Sequence, residues 1–278
     1  MSQPLERATL ALSDQVRAAL AEDLGDTGDI TSSAVVSSTQ TAKALIVGKS
    51  SGILAGIPLA EEVFRQVDPS IEIVWSVSDG DPIVPGTVVA NLSGRARGIL
   101  AGERVALNFL QHLSGVATAT ANLAQICRQH GVRLLCTRKT LPGLRSAQRY
   151  AVQVGGGSLH RAGLYDSILI KTNHTKLAGG ISRAIRRAKA FSENTIEVEV
   201  TSIEELEEAL KAGADSVLLD NADLKTMELA VRAVSGRAFL EISGGVTAAN
   251  IADIAKLRPD GISVGRITHS VTALDMAL

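Results

Sequence analysis

The sequence predicts an α/β protein in which a large parallel α/β barrel is accompanied by a smaller domain. Six short hydrophobic segments in the second half alternate with helical patterns, which favours a parallel sheet joined by right-handed crossovers. The 278 residues also exceed a typical single domain of roughly 100–150 residues. The six predicted strands cover residues 132–136, 167–170, 195–198, 216–219, 238–242 and 262–264.

The first half of the chain has a different pattern, which predicts the smaller domain. Helical spacing covers residues 1–25 and 100–125, and three β-like stretches lie between them, at 41–49, 71–77 and 82–92. Residues 79–90 have the rhythm of a flattened β-sandwich, which also occurs in domains that carry a lipoylated or biotinylated lysine. A carrier role is an alternative, but no lysine stands at a hairpin tip here.

Two helices of the second half have clear boundaries in the sequence. Ser202 is a candidate N-cap with Glu205 three residues later, a capping-box spacing, and Gly213 ends the helix. Another helix starts after Thr247 and stops before Pro259. Helices of this length between short strands support the barrel.

Composition excludes several classes of protein. The formal net charge is −1, from 28 basic and 29 acidic residues, so a globally basic nucleic-acid binder is not expected. Cys127 and Cys136 have neither metal-ligand nor redox spacing and are expected to be reduced. No signal-peptide pattern or long apolar run is present, so we expect a cytoplasmic protein that does not bind membranes.

Basic residues cluster where predicted strands and glycine turns end. Because the carboxyl ends of parallel barrel strands converge on one mouth, these side chains should lie close together. Cations crowded at one place repel each other, so the pattern predicts a polyanionic ligand, whereas a solvated charged surface is the alternative. The residues are Arg138, Lys139, Arg145, His160, Arg161 and Lys171.

Two carboxylates, Glu199 and Asp220, follow neighbouring predicted strands. Carboxylates that face a polyphosphate need a bridging hard cation, and Mg²⁺ commonly uses one or two of them. Alternatively, they stabilise positive charge on a sugar carbon or form a structural salt-bridge pair. Glu197 has the same side-chain parity as Glu199, and we prefer Glu199 because it lies nearer the strand end.

Glycine-rich turns after the last two strands predict a phosphate site. Glycine amides and helix N-termini bind phosphate at this place in many barrels. The alternatives are that the glycines only form tight turns and that His269 is an ordinary surface histidine. The candidate phosphate-binding residues are Ser243, Gly244, Gly245, Gly265 and His269.

The motifs around these residues resemble those of the quinolinate phosphoribosyltransferase family over essentially the whole chain. In the first half they are EDLG at 22–25, GDITS at 28–32 and ERVALN at 103–108. In the second half they are TRKTLPGLR at 137–145, GGGSLHRAGLYD at 155–166, KTNH at 171–174, EVEV at 197–200, LDN at 219–221, SGG at 243–245 and SVG at 263–265.

This resemblance implies an incomplete, TIM-like α/β barrel with an N-terminal α/β sandwich domain. We expect the sandwich domain at 1–112 and the barrel at 113–270, with the tail 271–278 packing on the sandwich domain. The implied reaction converts quinolinate and phosphoribosyl pyrophosphate, with Mg²⁺, to nicotinate mononucleotide, carbon dioxide and pyrophosphate. It is a step of NAD biosynthesis.

The resemblance also implies residue roles. The catalytic residues would be Lys139, Lys171, Glu199 and Asp220, with the last two also as the metal ligands. Substrate binding would involve Arg104, Arg138, Lys139, His160, Arg161, Lys171, Ser243, Gly244, Gly245, Gly265 and His269. The protein would be a homodimer or a larger assembly of dimers, in which Arg104 reaches into the neighbouring subunit's site.

Two residues depart from the pattern of this family. Cys136 and Thr172 stand where an acid is usual, so negative charge is missing near the cations, and altered affinity is expected. A related protein encoded beside molybdate transporters and a non-catalytic sugar-phosphate sensor are the alternative functions. The intact His160-Arg161 pair favours the quinolinate enzyme.

Overall fold

A computed structural model describes residues 3–278, with the side chains from Leu12 onward. The chain divides into two compact units. Unit one runs to Ala121 and adds Thr140–Gly156 and Thr268–Leu278, and unit two comprises Asn122–Lys139 and Gly157–Ile267. Among the described helices, none has both the length and the apolar character needed to cross a membrane.

Unit one is built on an antiparallel sheet. Its strands are β1 (Thr41–Gly48), β3 (Glu72–Trp75), β5 (Val88–Arg95) and β12 (Met276–Ala277), in the order β12-β1-β5-β3, and β2 (Gly52–Ile53) pairs separately with β4 (Pro82–Ile83). The helices are α1 (Gln3–Leu24), α2 (Ile30–Val35), α3 (Ile57–Val67), α5 (Arg145–Val154) and most of α4 (Ala96–Arg128). The predicted boundary at residue 112 lies inside α4 and stays a prediction.

Helix α3 was not predicted, although its start has a clear physical cause. Gly56 has a φ of 115°, which favours glycine, and precedes Pro58 at the helix start. The Asp79 carboxylate accepts the N–H groups of Gly56 at 3.0 Å and Ile57 at 3.2 Å. A distant side chain therefore caps this helix, which local spacing does not reveal.

The carboxyl-terminal residues belong to unit one. In β12, Met276 lies opposite Gly48 and Ala277 opposite Val47. The Gln111 side-chain amide donates to the Met276 carbonyl at 2.7 Å. Gly115 comes so close to the carbonyl of Thr272 that a side chain would collide with it. Residues almost at the end of the chain thus complete the sheet formed by the first hundred.

Unit two is a parallel sheet with helices, and the predicted fold class is confirmed. All six predicted strands are present, as β6 (Arg133–Leu135), β7 (Ile168–Ile170), β8 (Ile196–Val200), β9 (Ser216–Asp220), β10 (Phe239–Ser243) and β11 (Gly261–Ser263). Their order is β6-β11-β10-β9-β8-β7, and every pairing between neighbours is parallel. Strands β6 and β7 form the two edges of this order, as an incomplete barrel requires.

The helices of unit two follow the strands in turn. They are α6 (Thr172–Ala178), α7 (Ile181–Phe191), α8 (Ile203–Lys211), α9 (Leu224–Val234) and α10 (Ile251–Lys256), and α11 (Arg266–His269) follows β11. The predicted cap at Ser202 is confirmed, since its hydroxyl accepts the Glu205 N–H at 3.2 Å. Asp223 caps α9 in the same way by accepting the Thr226 N–H at 2.7 Å.

Candidate active site

The register of the parallel sheet places the strand-end carboxylates on one face. Glu199 lies beside Leu218 in β9, and Asp220 lies two residues farther along that strand. Asp220 in turn lies beside Ser243 in β10. Since side chains alternate along a strand, Glu199, Asp220 and Ser243 project from the same side of the sheet near its carboxyl end.

Glu199 is held by the turn that follows β7. Its Oε1 accepts the N–H of Thr172 at 3.2 Å and the Thr172 hydroxyl at 2.9 Å, and its Oε2 lies 3.5 Å from Lys171 Nζ. Burial acts to raise the pKa of Glu199, but these hydrogen bonds and the Lys171 charge outweigh it and lower the pKa. Glu199 is therefore an ionised carboxylate in a fixed orientation.

A strained turn links Asp220 to the glycine loop. Asn221, at a φ of 53°, donates its side-chain N–H to Asp220 Oδ2 at 2.8 Å and its main-chain N–H to the Ser243 carbonyl at 2.9 Å. Gly244 has a φ of 82°, and a Cβ there would collide with the Asn221 side chain. Glycine at 244 is thus required by both conformation and space.

Two arginines of unit two lie close enough to affect each other. Burial, followed by the positive charge of Arg138, lowers the pKa of Arg161. One guanidinium nitrogen of Arg161 donates to the Ser167 carbonyl at 3.3 Å. Arg138 is half-buried, and its Nε has no hydrogen-bond partner among the described residues. A buried guanidinium N–H of this kind is costly unless an acceptor reaches it.

His160 lies among carboxylates that project from the middle of the sheet. Its Nε2 is 2.9 Å from Glu197 Oε2 and 3.5 Å from Glu241 Oε2. Burial acts to lower the pKa of His160, but the hydrogen bond to Glu197 and the charges of Glu241 and Glu197 raise it overall. Burial, and then the charge of Glu197, raises the pKa of Glu241 to about 7.

The ligand atoms of His160, Glu197 and Glu241 lie within 4.8 Å of one another, a spacing that suits a metal ion. The hydrogen bonds of His160 indicate instead that a proton, and not a metal ion, lies between His160 and Glu197. His160 Nδ1 accepts the N–H of Arg161 at 2.8 Å, so the neutral ring carries its hydrogen on Nε2 and donates it to Glu197. Glu199 and Asp220, which offer only oxygen, are chemically better suited to Mg²⁺.

Most of the predicted substrate and metal residues lie in unit two, and three basic ones lie in unit one. Arg104 is exposed on α4, 3.8 Å from Glu103. Arg145 Nε donates to the Thr140 hydroxyl at 3.2 Å. His269 is exposed, with Nδ1 2.7 Å from the Ser270 hydroxyl. The residues in unit two are Arg138, Lys139, His160, Arg161, Lys171, Glu199, Asp220, Ser243, Gly244, Gly245 and Gly265.

Gln148, which the sequence did not single out, is a fully buried hydrogen-bonding centre in unit one. Its Oε1 accepts the Leu141 N–H at 2.9 Å, and its Nε2 lies 2.7 Å from the Thr268 carbonyl and 2.8 Å from His112 Nε2. Burial lowers the pKa of His112, which agrees with a neutral ring that accepts there. The segments before His269 and after Lys139 are thereby tied together.

Comparisons with known proteins agree along the chain. Residues 29–114 match the model for the quinolinate phosphoribosyl transferase N-terminal domain, and residues 116–278 match the model for its C-terminal domain. A quinolinate phosphoribosyltransferase [decarboxylating] of Nicotiana tabacum is 38% identical over an alignment of 296 positions, which covers 99% of this chain and 84% of the relative.

Two bacterial proteins are also similar. A probable nicotinate-nucleotide pyrophosphorylase [carboxylating] of Bacillus subtilis is 39% identical, over 92% of this chain and 89% of the relative. The solved structure of the nicotinate-nucleotide pyrophosphorylase from Francisella tularensis superposes with a TM-score of 0.93 at 42% identity. That superposition covers 97% of this chain and 95% of the Francisella chain.

Proposed function

The chain belongs to the quinolinate phosphoribosyltransferase family, and we propose that the carboxyl edge of its parallel sheet is where quinolinate meets phosphoribosyl pyrophosphate. The protein is an enzyme, a decarboxylating phosphoribosyltransferase of NAD biosynthesis. Its products are nicotinate mononucleotide, carbon dioxide and pyrophosphate. The residue roles below are our proposal.

The observation that carries the proposal is the pair of half-buried arginines. Burial, and then the positive charge of Arg138, lowers the pKa of Arg161, and Arg138 Nε is buried without an acceptor among the described residues. A dianion with two adjacent carboxylates relieves both costs at once through charge-assisted, bidentate hydrogen bonds. Quinolinate has this form, and Lys139 would add a further positive charge. His160, whose ring nitrogens already contact Glu197 and the Arg161 N–H, would contribute by holding Arg161.

The acids and Lys171 would act on the sugar and pyrophosphate. Mg²⁺ is typical of the family. Glu199 and Asp220 would hold it, and when bound it supplies positive charge to the pyrophosphate oxygens. Lys171, which already lies 3.5 Å from Glu199, would balance the charge that leaves with pyrophosphate. The fixed carboxylates would also hold the ribose hydroxyls.

The phosphate of the ribose would lie on the glycine loops. Gly244 and Gly245 have φ values of 82° and 62°, so their amides turn in a way that favours an anion. Ser243 ends β10, Gly265 lies two residues after the end of the neighbouring strand β11, and His269 would complete the set. Ser243 lies beside Asp220 in the sheet, which supports one site for the ribose and its phosphate.

The chemistry needs no covalent enzyme intermediate. The quinolinate nitrogen forms a bond to the anomeric carbon as the bond from that carbon to pyrophosphate breaks. The nitrogen becomes cationic, so it stabilises the carbanion that remains at the adjacent carbon when carbon dioxide departs. A proton then takes the place of the lost carboxylate. Arg138 and Arg161 would orient the ring for the first step.

Assembly and location also belong to this proposal. Exposed Arg104 on α4 is held only loosely by Glu103, which suits a residue that reaches into a neighbouring subunit's site. We therefore propose a homodimer or an assembly of dimers. A cytoplasmic location stays a prediction, because some plant relatives are named as mitochondrial or chloroplastic proteins.

Release of carbon dioxide from quinolinate labelled at the 2-carboxylate tests the proposal. We expect release only when phosphoribosyl pyrophosphate and Mg²⁺ are both present, together with equimolar nicotinate mononucleotide. Binding of phosphoribosyl pyrophosphate without any release would instead indicate a sugar-phosphate sensor. A lysine adduct in the intact mass would support the carrier alternative.

A further inference from the structure

The interior of the parallel sheet contains a polar layer where barrels usually have branched apolar side chains. Glu197 projects from near the start of β8 and Glu241 from the middle of β10, and only 8% and 1% of their respective surfaces are exposed. Ser216 and Ser263, on the neighbouring strands, are also buried. Burial of two carboxylates is costly, so these side chains need hydrogen-bond partners or a functional reason to be there.

The partner is His160, and the hydrogen bonds run in one direction. The Ser216 hydroxyl donates to Glu197 Oε1 at 3.0 Å, and His160 Nε2 donates to Glu197 Oε2 at 2.9 Å. Glu241 Oε2 faces the same nitrogen at 3.5 Å. On the other side of the ring, His160 Nδ1 accepts the main-chain N–H of Arg161 at 2.8 Å.

We propose that Glu197 and Glu241 are positioning residues for quinolinate binding, because they orient the His160 ring that fixes the main chain of Arg161. This inference rests on the function proposed above, in which Arg161 binds a carboxylate of the pyridine. Neither acid needs to touch the substrate. Both act through the histidine, and thus determine where the Arg161 guanidinium stands beside Arg138.

Two carboxylates are useful here because they select one tautomer of the ring. With the hydrogen on Nδ1, that N–H would face the Arg161 N–H, and the Nε2 lone pair would face both acids. With the hydrogen on Nε2, both conflicts disappear. The acids therefore keep Nδ1 available as the acceptor that holds Arg161 in place.

The surroundings of the ring support a positioning role over a separate metal site. A cavity of about 270 Å³ adjoins the layer, and its charged walls include Arg133 and Asp215 as well as Arg161. The nitrogen that a metal ion would need carries, in the neutral ring, the hydrogen donated to Glu197.

The experiment compares Glu197→Gln, Glu241→Gln and wild type by calorimetric titration with quinolinate and by steady-state kinetics. At pH 8, above the Glu241 pKa of about 7, loss of either carboxylate charge beside His160 Nε2 should weaken quinolinate binding about 10-fold or more. The KM for phosphoribosyl pyrophosphate should change by less than about 3-fold, because Arg161 is not assigned to that substrate. Glu207→Gln, at the surface ion pair with Arg237, is the matched control and should bind quinolinate normally.

A double-mutant cycle separates positioning from simple loss of structure. In an Arg161→Gln background, Glu197→Gln should cost less than about a further 2-fold, because both changes remove the same interaction. Nitrogen NMR of the five imidazoles, recorded above the raised pKa of His160, should show the neutral Nε2–H tautomer of His160 in wild type and its loss in Glu197→Gln. If that variant does not fold, Ser216→Ala should give a smaller shift in the same direction.

Three results would overturn the inference. They are unchanged quinolinate binding in both acid variants, a full additional loss in the Arg161→Gln background, and binding of Zn²⁺ or Mn²⁺ that Glu241→Gln abolishes. Failure of the wild type itself to bind quinolinate would refute the proposed function. Normal binding by wild type and by both acid variants would refute only the positioning role.

Discussion

The two sheets of this protein treat charge in opposite ways. In the antiparallel sheet of unit one, the charged strand residues Lys43, Glu72 and Arg95 are all exposed. In the parallel sheet of unit two, Glu197 and Glu241 are buried within strands β8 and β10. Both sheets have ample apolar residues, so the second sheet accepts a cost that the first avoids.

That difference indicates that the parallel sheet, and not the antiparallel one, loses stability to charged groups that serve the proposed site. The antiparallel sheet needs only to fold, and its alternation of exposed and covered residues is that of a sheet with one solvated face. The parallel sheet must hold cations and acids at its carboxyl edge. The polar interior of this sheet contacts the groups at the carboxyl edge through His160. Substitutions in that interior should therefore change substrate binding as well as stability.

The largest expected difference between the sheets comes from their arginines. Arg138→Ala should lower kcat/KM for quinolinate by about 100-fold to 1,000-fold, mainly through KM, because a buried charge partner of the dianion is lost. Arg95→Ala, on the antiparallel sheet, should leave kcat/KM within about 2-fold, since its surface ion pair with Asp68 contributes little. Near-normal kinetics of Arg138→Ala would count heavily against the assignment.

The next prediction concerns the strand-end acids. Asp220→Asn keeps the shape of the side chain but removes its charge, so turnover at low Mg²⁺ should fall on the order of 100-fold. Raising the Mg²⁺ concentration should restore part of it. Asp253→Asn, in an exposed ion pair with Lys256, is the control and should respond to Mg²⁺ as wild type does. An Asp220→Asn profile that does not depend on Mg²⁺ would remove Asp220 from the proposed metal site.

Buried Glu241 makes stability depend on pH. Its pKa in the folded protein is about 7, and its ordinary value is 4.5, so the folded state keeps a proton that the unfolded chain loses. Stability from this group is therefore complete below about pH 4.5 and is lost as pH rises through about 7. His160, whose pKa is also raised, changes stability in the same direction.

The amide side chain of Glu241→Gln cannot ionise as pH rises. Relative to wild type, this variant should gain about 1–3 kcal/mol in free energy of unfolding between pH 5 and pH 8, measured by urea denaturation. Glu72→Gln, on the exposed face of the antiparallel sheet, should follow the wild-type pH profile. Parallel profiles for wild type and Glu241→Gln would show that Glu241 titrates as an ordinary carboxylate.

The smallest effect is expected at Thr172. Thr172→Val removes the hydroxyl that donates to Glu199 at 2.9 Å but keeps the main-chain hydrogen bond, so kcat should fall about 3-fold to 10-fold. Thr41→Val, at the first residue of β1, serves as the control for the loss of a threonine hydroxyl. Unchanged kcat in Thr172→Val would mean that the main-chain N–H and Lys171 orient Glu199 without the hydroxyl.

Much of the parallel sheet could be predicted from the sequence, because short hydrophobic runs that end in polar residues are a local pattern. The six strands and the cap at Ser202 follow from that pattern. Helix α3 did not, since its cap comes from Asp79, more than twenty residues away. The assignment of residues 140–156 to unit one depends on long-range contacts that spacing does not encode, and only the family resemblance suggested a place for the tail.

In the candidate site, too, local sequence patterns identified some residues but not those that depend on long-range packing. Glu199 and Asp220 could be selected because they stand at strand ends. Glu197 was considered and set aside, and Glu241 was missed, because parity identifies the face of a strand but not what fills the space behind it. The shared parity of Glu241 and Ser243 is the signal that could have identified Glu241.

The central claim is that Arg138 and Arg161 together bind the two carboxylates of quinolinate. A crystal structure of the protein with quinolinate tests it most directly. The account predicts carboxylate oxygens about 2.7–3.0 Å from both guanidinium groups, with one oxygen accepting from Arg138 Nε. Quinolinate held elsewhere, with either arginine free of it, would contradict the account.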